Sequence, residues 1–538
     1  MLKTVNAYRG MVTSPHHLAS QAGLAVLREG GNAVEAAIAT TAALCVVYPH
    51  MTGLGGDAFW TIYDPASGRV QCIDASGLSG ENVRLAEVKK KADAADFAFF
   101  GPQTMLTCPG AVGGWARALE MAAAWSKPLP LSLLLEDAIY HAEHGYPVSA
   151  GQAALIASDL ERFKNEPGFA GQFLTGGLPP AVNSRQTLPA LARTMRRLIQ
   201  EGLDGFYRGK LARDIAAELQ KAGSSLTLED LRAQRAVMQT PLHTTVRGAR
   251  LYNCPPPSQG VSSLMILGLY DALVKERGLE PGNGGDKFEL LHALVECTKL
   301  ALIWRNAHLA DREHMLESAQ NWLEPSILAR VSADVDLKQA RPWGAGPGDG
   351  DTIWFGVIDA AGRAVSCIQS IYFGFGSGVV LPDTGITWHN RGLGFTHEAG
   401  HPNCIGPRKR PFHTLNPALA VFDDGRVMPY GSMGGEGQPQ TQAWVFSRYA
   451  WLGEDLQNCI SEPRWVLGRT WGKDSATLKL EADFDPAVVE KIRQAGHNVE
   501  IIPAKSDVMG HAGALVRDRE GLIQGATDPR SDGLAAGW

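Results

Sequence analysis

The chain has 538 residues, is 45% hydrophobic and 20% charged, and carries a formal net charge of −6. These values describe a globular protein with enough apolar material for one large core or several domains. With no basic excess there is no electrostatic case for a nucleic-acid partner or an anionic membrane.

The N-terminal stretch "MLKTVNAYRGMVTSPHH" lacks the apolar core and small-residue cleavage site of a secretion signal, so a cytoplasmic location is expected. The longest apolar run, "AAIATTAALCVVYPH", is too short to span a bilayer. Ser14 and Pro15 predict a helix start, as N-cap and first helical residue, and the pattern stops at Gly30-Gly31. Asn32 is expected to cap a second helix, "AVEAAIATTAALCVV", whose small residues almost all round predict close internal packing. "GLGGDAFWTIYDPASGRVQCIDASG" reads as a hairpin, with Phe59, Thr61 and Tyr63 on one face and "DPASG" as the turn. Much of residues 110–340 reads as helical, with Thr227 as an N-cap.

A Gly/Pro/Asp-rich stretch at 341–351 marks the clearest change of composition. Beyond it, "TIWFGVIDAAGRAVSCIQSIYFGFGSG" predicts two strands joined at "DAAG", and "PALAVFDDGRVMPYGS" another pair turning at "DDG". Strands with helices on both sides of the boundary predict stacked sheets covered by helices. The eight cysteines include no C-x-x-C pair and are expected to be free buried thiols.

"GLGGDAF" and "GSMGGEG" have neither P-loop nor dinucleotide-fingerprint spacing and read as tight turns. A sharper reading of Gly434 and Gly435 is a turn that aims two backbone N–H groups at a developing oxyanion. His308 and His314, in "AHLADREHM", form no metal motif, and neither a metal nor a cofactor is expected. "GFGSG" misses the G-x-S-x-G spacing and reads as a hairpin instead. Thr352 remains. Its hydroxyl needs an adjacent base, and a free α-amine on the same residue, with a pKa of about 7.7–8.0, would be one. Only cleavage before Thr352 creates that amine, and the preceding glycines supply the slack.

The blocks "GMVTSPHHLASQAGLAVLREGGNAVEAAIA", "PHMTGLGGDAFW", "CPGAVGGWARALE", "GDTIWFGVIDAAGRAVS", "GPRKRPFHTLNPALAVFDDG", "GSMGGEGQPQTQ" and "GATDPRSDG" run in order from residue 10 to the C-terminus. Together they resemble the γ-glutamyltranspeptidase family of N-terminal nucleophile hydrolases. The resemblance implies an α+β protein with an αββα sandwich, made as one precursor that cuts itself between Asp351 and Thr352. Residues 1–351 would form a large, helix-rich piece and residues 352–538 a small, β-rich one. Thr352 would be the nucleophile, Ser370 the hydroxyl residue that bonds it, and Gly434 and Gly435 the oxyanion donors.

The pocket departs from the family pattern. Tyr372, Arg391 and Gly394 stand where γ-glutamyl enzymes present Asn, Gln and Asp, and His413 and Thr414 replace a serine pair. "DFAFFGPQTMLTCPG" lacks the arginine expected before "CPGAVGG". A guanidinium repels a substrate ammonium and grips a carboxylate. "CIQSIYFGFGSGVV" with "HNRGLGF", which brings Asn390 beside Arg391, is similar to a branch that includes oxamate amidohydrolases and glutathione hydrolase-like proteins. The expected partner is therefore a small carboxylate-bearing amide such as oxamate. Two other readings stay open: a hydrolase or transferase of γ-glutamyl donors, and an unprocessed binding protein. A buried ion pair for Arg391, a packed imidazole for His413 and a homo-oligomer of the two-piece unit also stay open.

Overall fold

The computed structural model describes residues 2–94, 100–278, 287–344, 351–468 and 475–538. Asn32 closes a capping box. Its Oδ1 accepts the N–H groups of Val34 and Glu35 at 3.0 and 3.1 Å, and Glu35 Oε2 accepts the Asn32 N–H at 2.9 Å. Such a cap stabilises a helix by about 1 kcal/mol. The helix it starts is Ala33–Val47, with every residue buried. Small side chains all round let it lie close against the strands Asp351–Asp359 and Ala364–Tyr372.

The first helix begins later than its sequence signals predict. It spans His17–Arg28, and its cap is His16, whose Nδ1 accepts the Leu18 N–H at 3.3 Å. Ser14 instead ends a strand, Gly10–Ser14, held between Asp351–Asp359 and Leu534–Gly537. Both partners are far away in sequence, so no local pattern announces this strand.

Two seven-stranded antiparallel sheets form the centre. One runs Val5–Ala7, Ile523–Thr527, Ala512–Arg517, Val427–Ser432, Ala418–Phe422, Ala249–Asn253, Leu242–Val246. The other runs Leu534–Gly537, Gly10–Ser14, Asp351–Asp359, Ala364–Tyr372, Asp57–Asp64, Arg69–Ala75, Val237–Gln239. The predicted hairpins at 57–75, 351–372 and 418–432 all form. The strands at 237–253 interrupt a region read as mostly helical. "GFGSG" is not a hairpin: it is a bend leading from Ala364–Tyr372 to the short pair Val380–Leu381 and Ile386–Thr387.

Helices Gly260–Arg277, Lys287–His308 and Gln438–Ala450 cover the first sheet, sharing an apolar cluster with Leu251, Ala420, Tyr430 and Ala514. Helices His17–Arg28, Ala33–Val47 and Ala111–Ala122 cover the second, clustered with Trp60, Phe355 and Val357. The layers are therefore αββα, as expected. Segments from both sides of residue 351 interleave in each sheet.

Between the sheets lies Trp354. A Cβ added to Gly431 or Gly513 would stand 2.2 or 2.4 Å from its indole, so the opposite sheet approaches this ring through bare backbone. The indole Nε1 donates to Ser366 Oγ at 2.9 Å. All eight cysteines are free, all but Cys404 buried. Among the described residues no helix is long and apolar enough to cross a membrane.

Candidate active site

Thr352 is the second residue of the strand Asp351–Asp359 and is fully buried. The register with Ala364–Tyr372 shifts here: Asp351 pairs with Tyr372, but Ile353 pairs with Gln369. The neighbouring strand thus carries one extra residue opposite Thr352, a β-bulge, which re-aims the side chains around it. Thr352 Oγ1 donates to Ser370 Oγ at 3.4 Å, and Ser370 Oγ accepts the Tyr372 N–H at 2.8 Å. The loop 345–350, with its predicted slack for cleavage, lies outside the described residues, as does the side chain of Asp351.

The predicted oxyanion turn lies at the same end of the sandwich. Trp354 lies under Gly431 and Gly513, which pair with each other, while Gly356 lies under Leu515. Stepping back from Trp354 to Thr352 therefore corresponds to stepping forward from Gly431 towards Gly434. Gly434 has φ +117° and Gly435 φ +47°, the left-handed region that a side chain would strain. The turn passes through Gly435–Gly437 into the helix Gln438–Ala450. Gln259 ties it to Thr414: its Nε2 donates to the carbonyls of Gly435 and Thr414 at 2.9 and 2.8 Å. Gln259 Oε1 accepts from Arg305 Nη1 at 2.7 Å, and Arg305 also pairs with Glu436.

Arg391 is fully buried, and its guanidinium lies 3.8 Å over the Tyr372 ring. Nη1 donates to Thr414 Oγ1 at 3.3 Å, whereas Nε and Nη2 have no partner. Among the described residues no carboxylate lies within ion-pair distance of it. Burial lowers its pKa to about 10, with Tyr372 and Asp57 opposing the shift, so it stays charged at neutral pH. Asn390 does not touch Arg391's donors; its Oδ1 accepts the Phe373 N–H at 3.2 Å and fixes the backbone after Tyr372. Tyr372 itself has φ +81°, a strained conformation for a bulky residue. Gly394 packs against the Phe412 carbonyl, 2.6 Å from where a Cβ would stand.

His413 is paired through its side chain with Asp57. Its Nε2 lies 3.0 Å from Asp57 Oδ2, and Nδ1 has no partner. Burial, then the Arg391 cation, push its pKa down to about 3, so the ring is neutral. Asp57, the first residue of its strand, accepts the Gly110 N–H through Oδ1 at 3.0 Å. Its Oδ2 also faces His389 Nδ1 at 3.4 Å, while His389 Nε2 donates to the Thr107 carbonyl at 2.9 Å. Burial opposes charge on Asp57, but His389 and His413 outweigh it and hold the carboxyl below its ordinary range.

Thr352, Ser370 and Tyr372 are thus joined by direct contacts, and Tyr372, Arg391, Thr414 and His413 continue from them. No local sequence pattern marks Asp57, His389 or Gln259. Asp57 sits in a glycine turn whose only local meaning is the turn.

One cluster among the described residues has metal-ligand spacing: His292, Glu296 and His497. Lys299 Nζ sits 2.6 Å from Glu296 Oε1, and the two imidazoles bond each other at 2.8 Å. An ammonium already balances the carboxylate, which fits a structural network rather than a cation site.

The family model described as gamma-glutamyltranspeptidase matches residues 19–538. The chain is 49% identical over 530 residues to the oxamate amidohydrolase proenzyme of Klebsiella pneumoniae subsp. pneumoniae, covering 98% of each. It is 39% identical over 540 residues to the glutathione hydrolase-like YwrD proenzyme of Bacillus subtilis, covering 100% of each. Its structure superposes on cephalosporin acylase from Bacillus halodurans with a TM-score of 0.89 at 31% identity, covering 100% of this chain and 97% of that one. Agreement over nearly the whole chain, in sequence and in sandwich architecture, shows that this protein belongs to the gamma-glutamyltranspeptidase family of amidohydrolases.

Proposed function

We propose that the chain cuts itself between Asp351 and Thr352, giving associated pieces of residues 1–351 and 352–538, and then hydrolyses a small amide bearing an adjacent carboxylate, such as oxamate. The observation that carries this reading is Arg391. It is a buried cation stacked on the residue bonded to Ser370, with two donors left for an anion. The 49% identical Klebsiella protein named for oxamate supports it.

In this reading Thr352 Oγ attacks the amide carbon. The hydroxyl proton moves to the Thr352 α-amine and on to the leaving nitrogen. The C–N bond breaks, ammonia leaves, and an ester joins the acyl group to Thr352. Water then adds, the ester bond breaks, and the dicarboxylate departs as the hydroxyl is restored. Ser370 orients the nucleophile, and the N–H groups of Gly434 and Gly435 receive the oxyanion. Arg391 holds the substrate carboxylate, which places the reacting carbonyl by its neighbour.

The test offers purified protein oxamate and a γ-glutamyl anilide in parallel. Turnover of oxamate with little of the anilide is expected. Good turnover of the anilide with none of oxamate would overturn the assignment in favour of a γ-glutamyl donor.

A further inference from the structure

A carboxylate can only accept hydrogen bonds, so the His413 Nε2 that lies 3.0 Å from Asp57 Oδ2 carries its proton on that nitrogen. The ring is buried beside a guanidinium and stays neutral, which leaves Nδ1 as a bare lone pair. That lone pair is buried and has no partner, and neither have Arg391 Nε and Nη2. Thr414 links the two residues, following His413 in the chain and accepting from Arg391 Nη1. Arg391 therefore offers unmet donors suited to a carboxylate, and His413 an unmet acceptor suited to an N–H. Leaving both unmet in a filled site would be costly.

We propose that Asp57 is a positioning residue that fixes the tautomer of His413, so that Arg391 and His413 Nδ1 together select an N–H-bearing amide beside a carboxylate. This rests on the function proposed above and narrows it: an ester with the same carboxylate would set an oxygen lone pair against that of Nδ1. The Asp57→Asn variant tests the idea by reversing the tautomer. With Oδ1 kept by the Gly110 N–H, the new carboxamide turns its NH2 towards His413 Nε2. The ring must then accept there and carry its proton on Nδ1.

The experiment measures kcat/KM for oxamate and for the methyl oxalate monoanion, using full-length processed wild type and Asp57→Asn. The ester-to-amide ratio is expected to rise about tenfold or more in the variant, the scale of one exchanged hydrogen bond. An equal loss on both substrates, with the ratio unchanged, would mean a merely structural Asp57 and overturn the inference alone. Processed wild type that ignores oxamate would overturn the functional reading and this inference with it. Should the variant fail to fold or process, histidine-selective 15N NMR of the wild type decides. The His413 signals, identified by their loss in His413→Gln, should show a protonated Nε2 and a bare Nδ1 between about pH 6 and 8. A protonated Nδ1 would overturn the proposal.

Discussion

Thr352 Oγ1 lies 3.4 Å from Ser370 Oγ because a bulge sets one extra residue of the neighbouring strand opposite the threonine. The contact is longer than an ordinary hydroxyl hydrogen bond, leaving room for it to tighten around a reacting group. Ser370→Ala should leave the chain folded and lower kcat by roughly five- to thirtyfold, about 1–2 kcal/mol. Ser370→Thr, which keeps the hydroxyl, should recover most of that loss. Steady-state kinetics on oxamate checks both.

Arg391→Gln removes the charge, and Arg391→Lys keeps it while losing the planar fork. Loss of a paired carboxylate contact costs about 1.5–3 kcal/mol, so Arg391→Gln should lower kcat/KM on oxamate by roughly ten- to a hundredfold. Lysine should restore only part of it. Hydrolysis of an amide without the carboxylate should change far less. Equal losses on both amides would show that Arg391 supports structure rather than substrate.

Buried imidazoles, His50 and His413 among them, set an acid limit on stability. Burial pushes His50 down to about 3, with His511 and His16 adding to the shift; His413 is held at about 3 by burial and then Arg391. The unfolded chain takes up a proton at each near pH 6.5, and the folded chain does not until about pH 3. Stability is therefore full above pH 6.5 and falls as the pH drops to 3, by about 1.4 kcal/mol per pH unit for each histidine. Asp57, held low, adds a second loss below its ordinary range of about pH 4. Both ring nitrogens of His50 lack partners, so His50→Gln should flatten the slope of stability against pH by about one proton. Urea denaturation at a series of pH values measures it.

Gly431→Ala should be destabilising. The added methyl would stand 2.2 Å from Trp354 Cδ1, so the buried indole or the strand must shift. A loss of about 1–3 kcal/mol is expected, read as a lowered melting temperature. Gly453→Ala is a poor control because φ there is +67°; Gly171→Ala, which meets nothing within 4 Å, should be nearly neutral.

Where structure was legible in sequence, the causes were local. Asn32 and Glu35 are three residues apart and cap their own helix. The strands 57–64 and 69–75 meet across a short turn, as do 351–359 and 364–372. Ser370, Arg391 and His413 stand out only against the family blocks; in the structure Thr352 contacts Ser370, Ser370 contacts Tyr372, and Arg391 contacts Tyr372 and Thr414. What stayed hidden was non-local. Gly10–Ser14 becomes a strand through partners more than 300 residues away. The partners of Asp57, His389 and His413, are also more than 300 residues away, and the glycines before it signal only a turn. Ser14 and Pro15 satisfied the local rules for starting a helix, but pairing of Ser14 with Leu534 moved the start to His17.

Self-cleavage before Thr352 is read out by the intact mass of the denatured protein and by sequencing of the smaller fragment's N-terminus. Two chains are expected, the smaller beginning Thr352-Ile353-Trp354, and a single uncut chain for Thr352→Ala. A wild-type protein that hydrolyses amides while remaining one 538-residue chain, or one whose small fragment begins elsewhere, would contradict it.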